Sequence, residues 1–299
     1  MFRYVFVLIS LLLVTSLFAE TSGEYGFQML NITSSVGIAA QSGVGAFSSD
    51  DAHRFLQHPT AGLFGNGRVI SISKNFWIFD TPVNNVSYLF SNGKRSFGFS
   101  YKFLDYGKID RRDEVGTDII GEFHPLDISV AVNFAYRLNP NHQLGFNFIG
   151  VYEKIDTHSS TGIALDLGYL YKTPLQDIMV SLALKNIGIS SKMDKEEIKL
   201  PFKGELGFIK DFKILEQKFS SEFQLLKHID DDQIRYALGL NSTIYQLLDL
   251  RIGYKNQNDS ASFSTGIGIN YKQFSVDYTF IPTFDDLDSV NMIGLSYKF

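Results

Sequence analysis

The chain has 299 residues and a net charge of −5, and it contains 27 Phe and 15 Tyr but no cysteine. The lack of cysteine excludes a disulfide scaffold and a cysteine-based metal site. Mean hydropathy close to zero excludes a bundle of membrane-spanning helices, since each helix would need roughly 20 apolar residues. The aromatic content excludes a disordered chain, and the acidic balance argues against a nucleic-acid-binding protein.

The first residues predict an export signal. A short basic start that contains Arg3 is followed by an apolar stretch over residues 4–18, and Ala19 provides the small residue that a cleavage site needs. An apolar stretch of roughly 15 residues is short for a membrane span. We therefore expect residues 1–19 to be a secretory signal peptide that is removed from the mature protein.

Residues 20–67 form a separate segment before any regular pattern begins. From residue 31 onward the segment is rich in glycine and small residues and lacks the alternation of strands. A short helix is predicted over residues 49–57, with a serine cap and with the acidic Asp51 at its positive end. Because small residues allow close backbone packing, we expect residues 20–67 to lie in the periplasm or to plug a barrel lumen.

From residue 68 to the last residue, apolar and polar side chains alternate with period two, which is typical of strands with two unlike faces. In residues 126–138, for example, Val132 belongs to the apolar face and Asn133 to the polar face. The predicted strands are 68–78, 84–91, 95–103, 126–138, 142–153, 162–172, 178–189, 203–211, 218–226, 234–244, 248–255, 262–271, 273–281 and 290–299.

Two further patterns favour a membrane barrel. Short connections such as 139–141 mostly alternate with longer ones such as 104–125, 154–161 and 256–261, and aromatic residues lie near strand ends. In a soluble β-sandwich or lipocalin-like barrel the second face would be densely charged, whereas here it is mostly Gly, Ser, Ala and Asn. We predict an all-β protein in which residues 68–299 form a transmembrane antiparallel β-barrel of about 14 strands, and an N-terminal segment plugs its lumen.

The last strand ends in alternating apolar residues, among them Tyr297 and Phe299. This ending resembles the signal in the last strand of bacterial outer-membrane barrels, which the barrel-assembly machinery reads. The resemblance implies a location in the bacterial outer membrane, with outer-membrane lipid and the assembly machinery as partners.

Polar side chains on the lumen face are candidates for holding the N-terminal segment. Both signs of charge occur, so we expect pairing across the lumen and onto residues 31–67, which would close the pore. The main plug and lumen candidates are Asp51, His58, Pro59, Gly62, Asp127, Arg137, Asp166, Arg235 and Arg251. Further lumen-directed residues are Asn133, Asn147, Lys185, Glu205, Glu222, Asn241, Asp249 and Asp277.

Sites for chemistry are weakly supported. The acidic runs at residues 230–232 and 285–288 lack the ligand spacing of a calcium loop, and His53 and His58 have no evident third metal ligand. The sequence contains no G-x-S-x-G nucleophile motif. We expect no enzyme activity, no metal and no cofactor.

The N-terminal segment resembles the start of the PorV/PorQ family, whose members are related to the FadL fatty-acid transporter. The family pattern is a Gly/Ala-rich stretch, an acidic residue before a short helix and an NPAGL-like turn, although here His58 replaces the Asn and Thr60 is inserted. The residues that carry the resemblance are Gly37, Ala39, Ala40, Gly43, Val44, Ala46, Asp51, Ala52, Pro59, Ala61, Gly62 and Leu63.

The resemblance implies one of two functions. A PorV/PorQ-type protein would belong to the type IX secretion system, with secreted proteins and secretion-system subunits as partners. A FadL-like protein would instead be a channel for uptake of hydrophobic small molecules, and it should carry an apolar cluster on its lumen face and on its long loops. The charged residues in the long loop 104–125 slightly favour contact with another protein or simple exposure to water over an apolar solute path.

Overall fold

The computed structural model shows an all-β chain. The predicted signal peptide lies outside the described residues, as do residues 230 and 232 and the acidic run at 285–288. The described residues are 25–77, 81–112, 116, 118–175, 178–214, 217–229, 231, 233–257, 260–283 and 289–299.

Eighteen strands are present in the described part of the chain. In chain order they are β1 (Asn66–Phe76), β2 (Pro82–Asn92), β3 (Arg95–Asp105), β4 (Ile109–Arg111), β5 (Gly121–Phe123), β6 (Leu126–Asn139), β7 (His142–Ile155), β8 (His158–Lys172), β9 (Ile178–Ser190), β10 (Lys192–Met193), β11 (Glu196–Glu197), β12 (Lys203–Ile214), β13 (Gln217–His228), β14 (Ile234–Ile244), β15 (Leu248–Gln257), β16 (Ser260–Tyr271), β17 (Phe274–Ile281) and β18 (Val290–Lys298).

Fourteen of these strands form a closed antiparallel barrel, which confirms the predicted fold. Each wall strand pairs with the next wall strand along the chain, and β1 pairs with β18 to close the cylinder, with Ile72 opposite Leu295. β4 pairs with β5, and β10 with β11, in two small hairpins within the loops. Closure leaves no unpaired sheet edge, which is the condition for placing a sheet in lipid.

The two faces of the wall agree with the predicted alternation. On β6, Val132 is 37% exposed on the outside, whereas its neighbour Asn133 is fully buried on the inside. Large apolar side chains cover the outer face, and Ser, Asn and Gly are frequent on the inner face. An apolar exterior around a polar interior is the arrangement of transmembrane β-barrels.

The connections define two rims. The rim that carries the two-residue turns at 93–94, 140–141 and 272–273 is called the turn rim, and the opposite one the loop rim. The predicted long loops at 154–161 and 256–261 are wrong, because β7 and β8, like β15 and β16, are separated by only two residues. The polar residues at these strand ends still form the backbone hydrogen bonds of the strands. Polar side chains are acceptable at strand ends that extend beyond the lipid.

Aromatic side chains lie near both rims, as predicted from the strand directions. A Tyr at the lipid–water boundary keeps its ring in apolar surroundings and its hydroxyl in water. Near the loop rim are Phe103, Tyr152, Tyr254 and Phe280, and near the turn rim are Tyr136, Tyr169, Tyr271 and Tyr297.

In the part of the chain that the structure describes, helical structure is confined to short turns before β1. These are the α-helical turns α1 (Val36–Ala39) and α2 (Arg54–Gln57) and the 3-10 turns Gln28–Asn31 and Ala61–Phe64. The helix predicted over residues 49–57 is therefore wrong in its first half, where the Asp51 carboxylate accepts hydrogen bonds from nearby groups and holds a tight turn. In the described residues, no helix has the length and apolar character to cross a membrane.

Candidate functional site in the barrel lumen

Residues 25–65, called the lumen segment, lie inside the barrel. The segment joins β1 at the turn rim. Its other end reaches the loop rim, where the backbone of Tyr25 forms a parallel β-bridge with that of Lys199. Most of its side chains are buried, including the apolar Ile38 and Phe55, which are fully buried. The segment thus occupies space inside the fourteen-stranded wall, and its role as a plug stays a prediction.

Wall glycines allow the lumen segment to approach closely. A Cβ at Gly145 would lie 2.5 Å from the carbonyl carbon of Pro59, and a Cβ at Gly253 would overlap the backbone of Gln41. The predicted site residue Gly62 allows the same close approach from the side of the segment, because a Cβ there would lie 2.8 Å from Oγ of Ser96. At these positions any larger side chain would collide with the element that it faces.

A buried chain of polar side chains on β6, β7 and β8 holds the middle of the segment. Asn133 donates from Nδ2 to the Pro59 carbonyl at 2.9 Å, and Asn147 donates from Nδ2 to the Phe55 carbonyl at 3.0 Å. Asn147 also donates to Asp166 at 3.0 Å. The structure therefore brings together several residues that the sequence placed on the lumen face.

Asp51 organises the segment internally. Its carboxylate accepts from the hydroxyl of Ser35, from the hydroxyl of Ser49 at 2.7 Å and from the backbone N–H of His53 at 2.8 Å. Satisfying a buried carboxylate with several donors compensates for its removal from water. Asp51 thus joins the turn before α2 to the residue that caps α1.

His58 is buried between the segment and β9. Its Nε2 lies 3.2 Å from the Leu182 carbonyl, and its Nδ1 lies 2.9 Å from the Thr60 hydroxyl. Burial lowers the pKa of His58 to about 4, although the nearby Glu205 acts in the opposite direction. His58 is therefore neutral at pH 7, and the inserted Thr60 supplies one of its partners.

Arginines contact the segment at two more places. Arg137 donates from Nη2 to the Leu63 carbonyl at 3.3 Å. Arg251 pairs with Asp249 at 2.8 Å and with Asp277 at 2.6 Å, and its guanidinium lies against Gly37. Pairing these charges inside the lumen offsets the cost of burying them.

Two of the predicted lumen residues lie toward the loop rim and tie the wall to loops. Asp127 accepts a hydrogen bond from the Tyr106 hydroxyl at 3.0 Å, and Arg235 pairs with Asp231 at 2.5 Å. Their contacts differ from the predicted pairing across the lumen, because strand ends at this rim face the folded loops.

Tyr297 and Phe299 lie at the closing seam on the turn rim. Their rings are 4.8 Å apart, and Tyr297 also contacts Phe274. The backbone N–H of Phe299 donates to the Arg68 carbonyl at 2.9 Å. Both residues therefore support barrel closure, and their role as an assembly signal stays a prediction.

Two buried lysines, Lys102 and Lys203, were missed in the sequence. Lys102 donates to the carbonyls of Met29 and Ile32, at 3.2 and 2.7 Å, and Lys203 lies 3.3 Å from Glu205. Strand alternation places Lys102 on the lumen face beside Ser100, so the pattern could have identified it. The predicted Lys185 joins them, since its ammonium donates to the Leu56 and Gln57 carbonyls at 2.8 and 3.1 Å.

Apolar side chains also meet inside the barrel, in a group that we call the lumen apolar cluster. It joins the segment, the inner faces of β1, β2 and β6–β8, and the long loop after β9. The cluster consists of Phe27, Ala52, Phe55, Val69, Leu89, Ala131, Ile149, Val151, Ala164 and Leu200, with Leu30, Leu56 and Ile198 packed against it.

The two buried histidines of the segment lie at separate places in the lumen. His53 faces Ser87 at 2.7 Å and His58 faces the wall at Leu182, so the two imidazoles do not share a site. Among the residues that the structure describes, no group of three His, Cys, Asp or Glu side chains is placed to hold a metal ion.

The comparisons with known proteins concern the fold. No protein-family model matches the chain, and no curated protein matches its sequence. The CymD monoaromatic hydrocarbon channel is similar in structure, with a TM-score of 0.64 and 13% identity over 88% of this chain and 97% of CymD.

Two further solved structures are similar. The Pseudomonas putida toluene transporter TodX has a TM-score of 0.65 and 9% identity over 88% of this chain and 98% of its own. A FadL homologue of Pseudomonas aeruginosa has a TM-score of 0.58 and 11% identity over 90% of this chain and 99% of its own. The chain therefore has the closed fourteen-stranded fold of FadL-type outer-membrane barrels.

Proposed function

We propose that this protein is an outer-membrane channel through which hydrophobic small molecules enter the cell. Its fold is that of barrels described as a monoaromatic hydrocarbon channel and a toluene transporter. A barrel filled by its own lumen segment suits such solutes better than a wide, water-filled pore would, because a hydrophobic solute needs an apolar path.

The observation that carries this proposal is the lumen apolar cluster. Ile149 and Val151 of β7 face the lumen, and Leu200 reaches them from the long loop after β9. The other long loop carries exposed apolar side chains at Ile109, Ile119 and Ile120. Apolar groups on a surface loop and an apolar cluster in the lumen are what a hydrophobic path requires.

The type IX secretion hypothesis has weaker support. The support for it is the charge of loop 104–125. However, Lys108 pairs with Glu122 at 2.9 Å, and Arg111 pairs with Asp156 in a neighbouring turn. Charges that pair within the chain are less available to a partner protein. The comparisons likewise favour the channel, since the similar structures are channels and transporters.

Uptake of a labelled hydrophobic solute by a deletion strain tests the proposal. Cells that express the protein should take up toluene or a long-chain fatty acid faster than the deletion strain does, while glucose uptake should be equal. The Leu200→Gln variant places a polar amide in the lumen apolar cluster, so it should lower uptake of the hydrophobic solute severalfold.

Leu175→Gln is the matched control, because Leu175 is 66% exposed near the turn rim, away from the cluster. Both variants should reach the outer membrane and show the gel-mobility shift of a folded barrel. Equal uptake by the deletion strain and by cells that express the protein would overturn the proposal.

A further inference from the structure

A small cavity lies between the lumen segment and the wall, and its lining is unusually basic. The buried lysines Lys102, Lys185 and Lys203 line it, together with His53 and Ser34 of the segment. An adjoining cavity shares Lys102 and Lys185 with it. Three buried lysines around one space need a source of negative charge.

The described carboxylates balance only part of this charge. Glu205 lies 3.3 Å from Lys203, and Asp166 lines the adjoining cavity together with Lys185. Asp51, the next acid, lies near the buried Arg54 and accepts three hydrogen bonds within the segment. In the described part of the chain, Lys102 donates hydrogen bonds only to backbone carbonyls, so the three lysines outnumber the two nearby carboxylates by one.

Residues that line this space carry unused hydrogen-bonding groups. A lysine ammonium has three N–H groups, and Lys102 and Lys185 each direct two of them to backbone carbonyls, so one remains. The hydroxyl of Ser34 and Nε2 of His53 are buried and have no hydrogen-bond partner among the described residues. Buried polar groups in native proteins are rarely left unpaired, so these groups need a bound ion or water as a partner.

The size of the cavity limits the occupant. Its volume is about 30 Å³, and a water molecule needs roughly 10–15 Å³ on the same measure. A single small ion therefore fits, whereas an acyl chain or an aromatic ring does not. An excess of one positive charge selects a monovalent anion.

We propose that this cavity binds one small monovalent anion of the chloride class, which fastens the lumen segment to the wall. The anion accepts hydrogen bonds from Lys102, Lys185 and Ser34 and so joins both sides of the contact. The proposal is independent of the proposed transport of hydrophobic solutes, because the anion has a structural role.

Bromide is a suitable probe because its anomalous scattering locates it in a crystal. Crystals of the mature full-length chain grown in sodium bromide should show an anomalous peak in the cavity. In detergent, the melting temperature should be higher in sodium chloride or bromide than in sodium gluconate of equal ionic strength, because a ligand that binds only the folded state stabilises it.

Lys102→Met should abolish both the peak and the halide-dependent part of the melting temperature. Lys255→Met is the matched control, since Lys255 lies on β15 and does not line the cavity, and it should keep the halide dependence. If Lys102→Met does not fold, Ser34→Ala keeps every charge and should weaken the halide effect severalfold.

Several outcomes would overturn the proposal. These are equal melting temperatures in halide and gluconate, a bromide peak only outside the cavity, and an equal loss of halide dependence in Lys255→Met. Stabilisation by decanoate but not by halide would also overturn it, because the site would then bind the head group of an amphiphile.

Discussion

Asn133 of β6 donates a hydrogen bond from Nδ2 to the backbone carbonyl of Pro59, and the two atoms lie 2.9 Å apart. Both residues are buried, so water does not replace the bond if it is lost. Leaving a buried carbonyl without a donor costs about 1–3 kcal/mol. This bond therefore fixes the turn of the lumen segment against the wall.

Asn133→Ala should loosen the lumen segment without unfolding the barrel. We expect limited proteolysis of the folded protein to cut within the segment several times faster, as measured by mass spectrometry. Asn241→Ala is the control, because Asn241 is also buried on the lumen face and lies on β14, far along the wall from Pro59. Equal cleavage rates in the two variants would count against the role of Asn133.

Gly253→Ala should displace the lumen segment, because the added methyl group would overlap the backbone of Gln41. Trp77 is the single tryptophan and packs against two apolar clusters that include Met29 and Val36 of the segment, so its fluorescence reports displacement. We expect a red shift of its emission in Gly253→Ala. Gly150→Ala should leave the emission unchanged, since the space there is open. Unchanged emission in Gly253→Ala would contradict the close approach.

Val132→Arg tests which face of the wall meets lipid. Val132 lies on the outer face near the middle of β6, where an arginine costs about 2–4 kcal/mol in a bilayer. Leu138→Arg is the matched change near the turn rim and should cost about 0–1 kcal/mol, since the penalty falls toward the interface. Urea titrations of folding into lipid vesicles measure both, and equal costs would show that the depths are assigned wrongly.

The wall could be predicted from the sequence because strand alternation is a local property. Residues 126–138 show it without reference to any other part of the chain, and the same is true of the other wall strands. The two loop lengths that were wrong, at 154–161 and 256–261, failed for a local reason too. Polar residues favour a loop there, but β8 begins at His158 and β16 at Ser260, so the strands include part of each predicted loop.

The path of the lumen segment could not be predicted, because it depends on contacts between residues far apart in the chain. The bond from Lys102 to Ile32 joins residues 70 positions apart, and the bond from Lys185 to Leu56 joins residues 129 positions apart. The alternation places single residues such as Asn133 on the lumen face. It does not identify the residue of the segment that each of them contacts. The lysine-lined cavity depends on three such contacts at once.

Acid should release the lumen segment, and His58 should contribute to this effect. Its pKa is lowered by burial from 6.5 to about 4, with Glu205 opposing the shift and Lys185 adding to it. Between pH 6.5 and 4 the released segment binds a proton that the docked segment does not. Docking of the segment therefore becomes less favourable as the pH drops through this range. Above pH 6.5 protonation of His58 does not weaken docking.

Fluorescence of Trp77 during a pH titration in detergent measures the release. The midpoint of the change should move to lower pH in His58→Gln, because the buried group no longer takes up a proton. His142→Gln is the control, since His142 stacks on Tyr171 on the outer face, away from the segment. Identical midpoints in the unmodified chain and in His58→Gln would contradict the role of His58.

Removal of residues 31–65 should open the barrel. Fourteen strands enclose a lumen wider than the wall side chains fill, and the lumen segment supplies the remaining volume. We expect the deletion variant to give stable ion-conductance steps in planar bilayers, while the intact chain gives almost none. Replacing residues 31–65 by a flexible Gly/Ser sequence of equal length should also conduct, because chain length is kept but the contacts to Asn133, Asn147 and Lys185 are lost. Negligible conductance in both variants would mean that the wall or the loops close the pore without the segment.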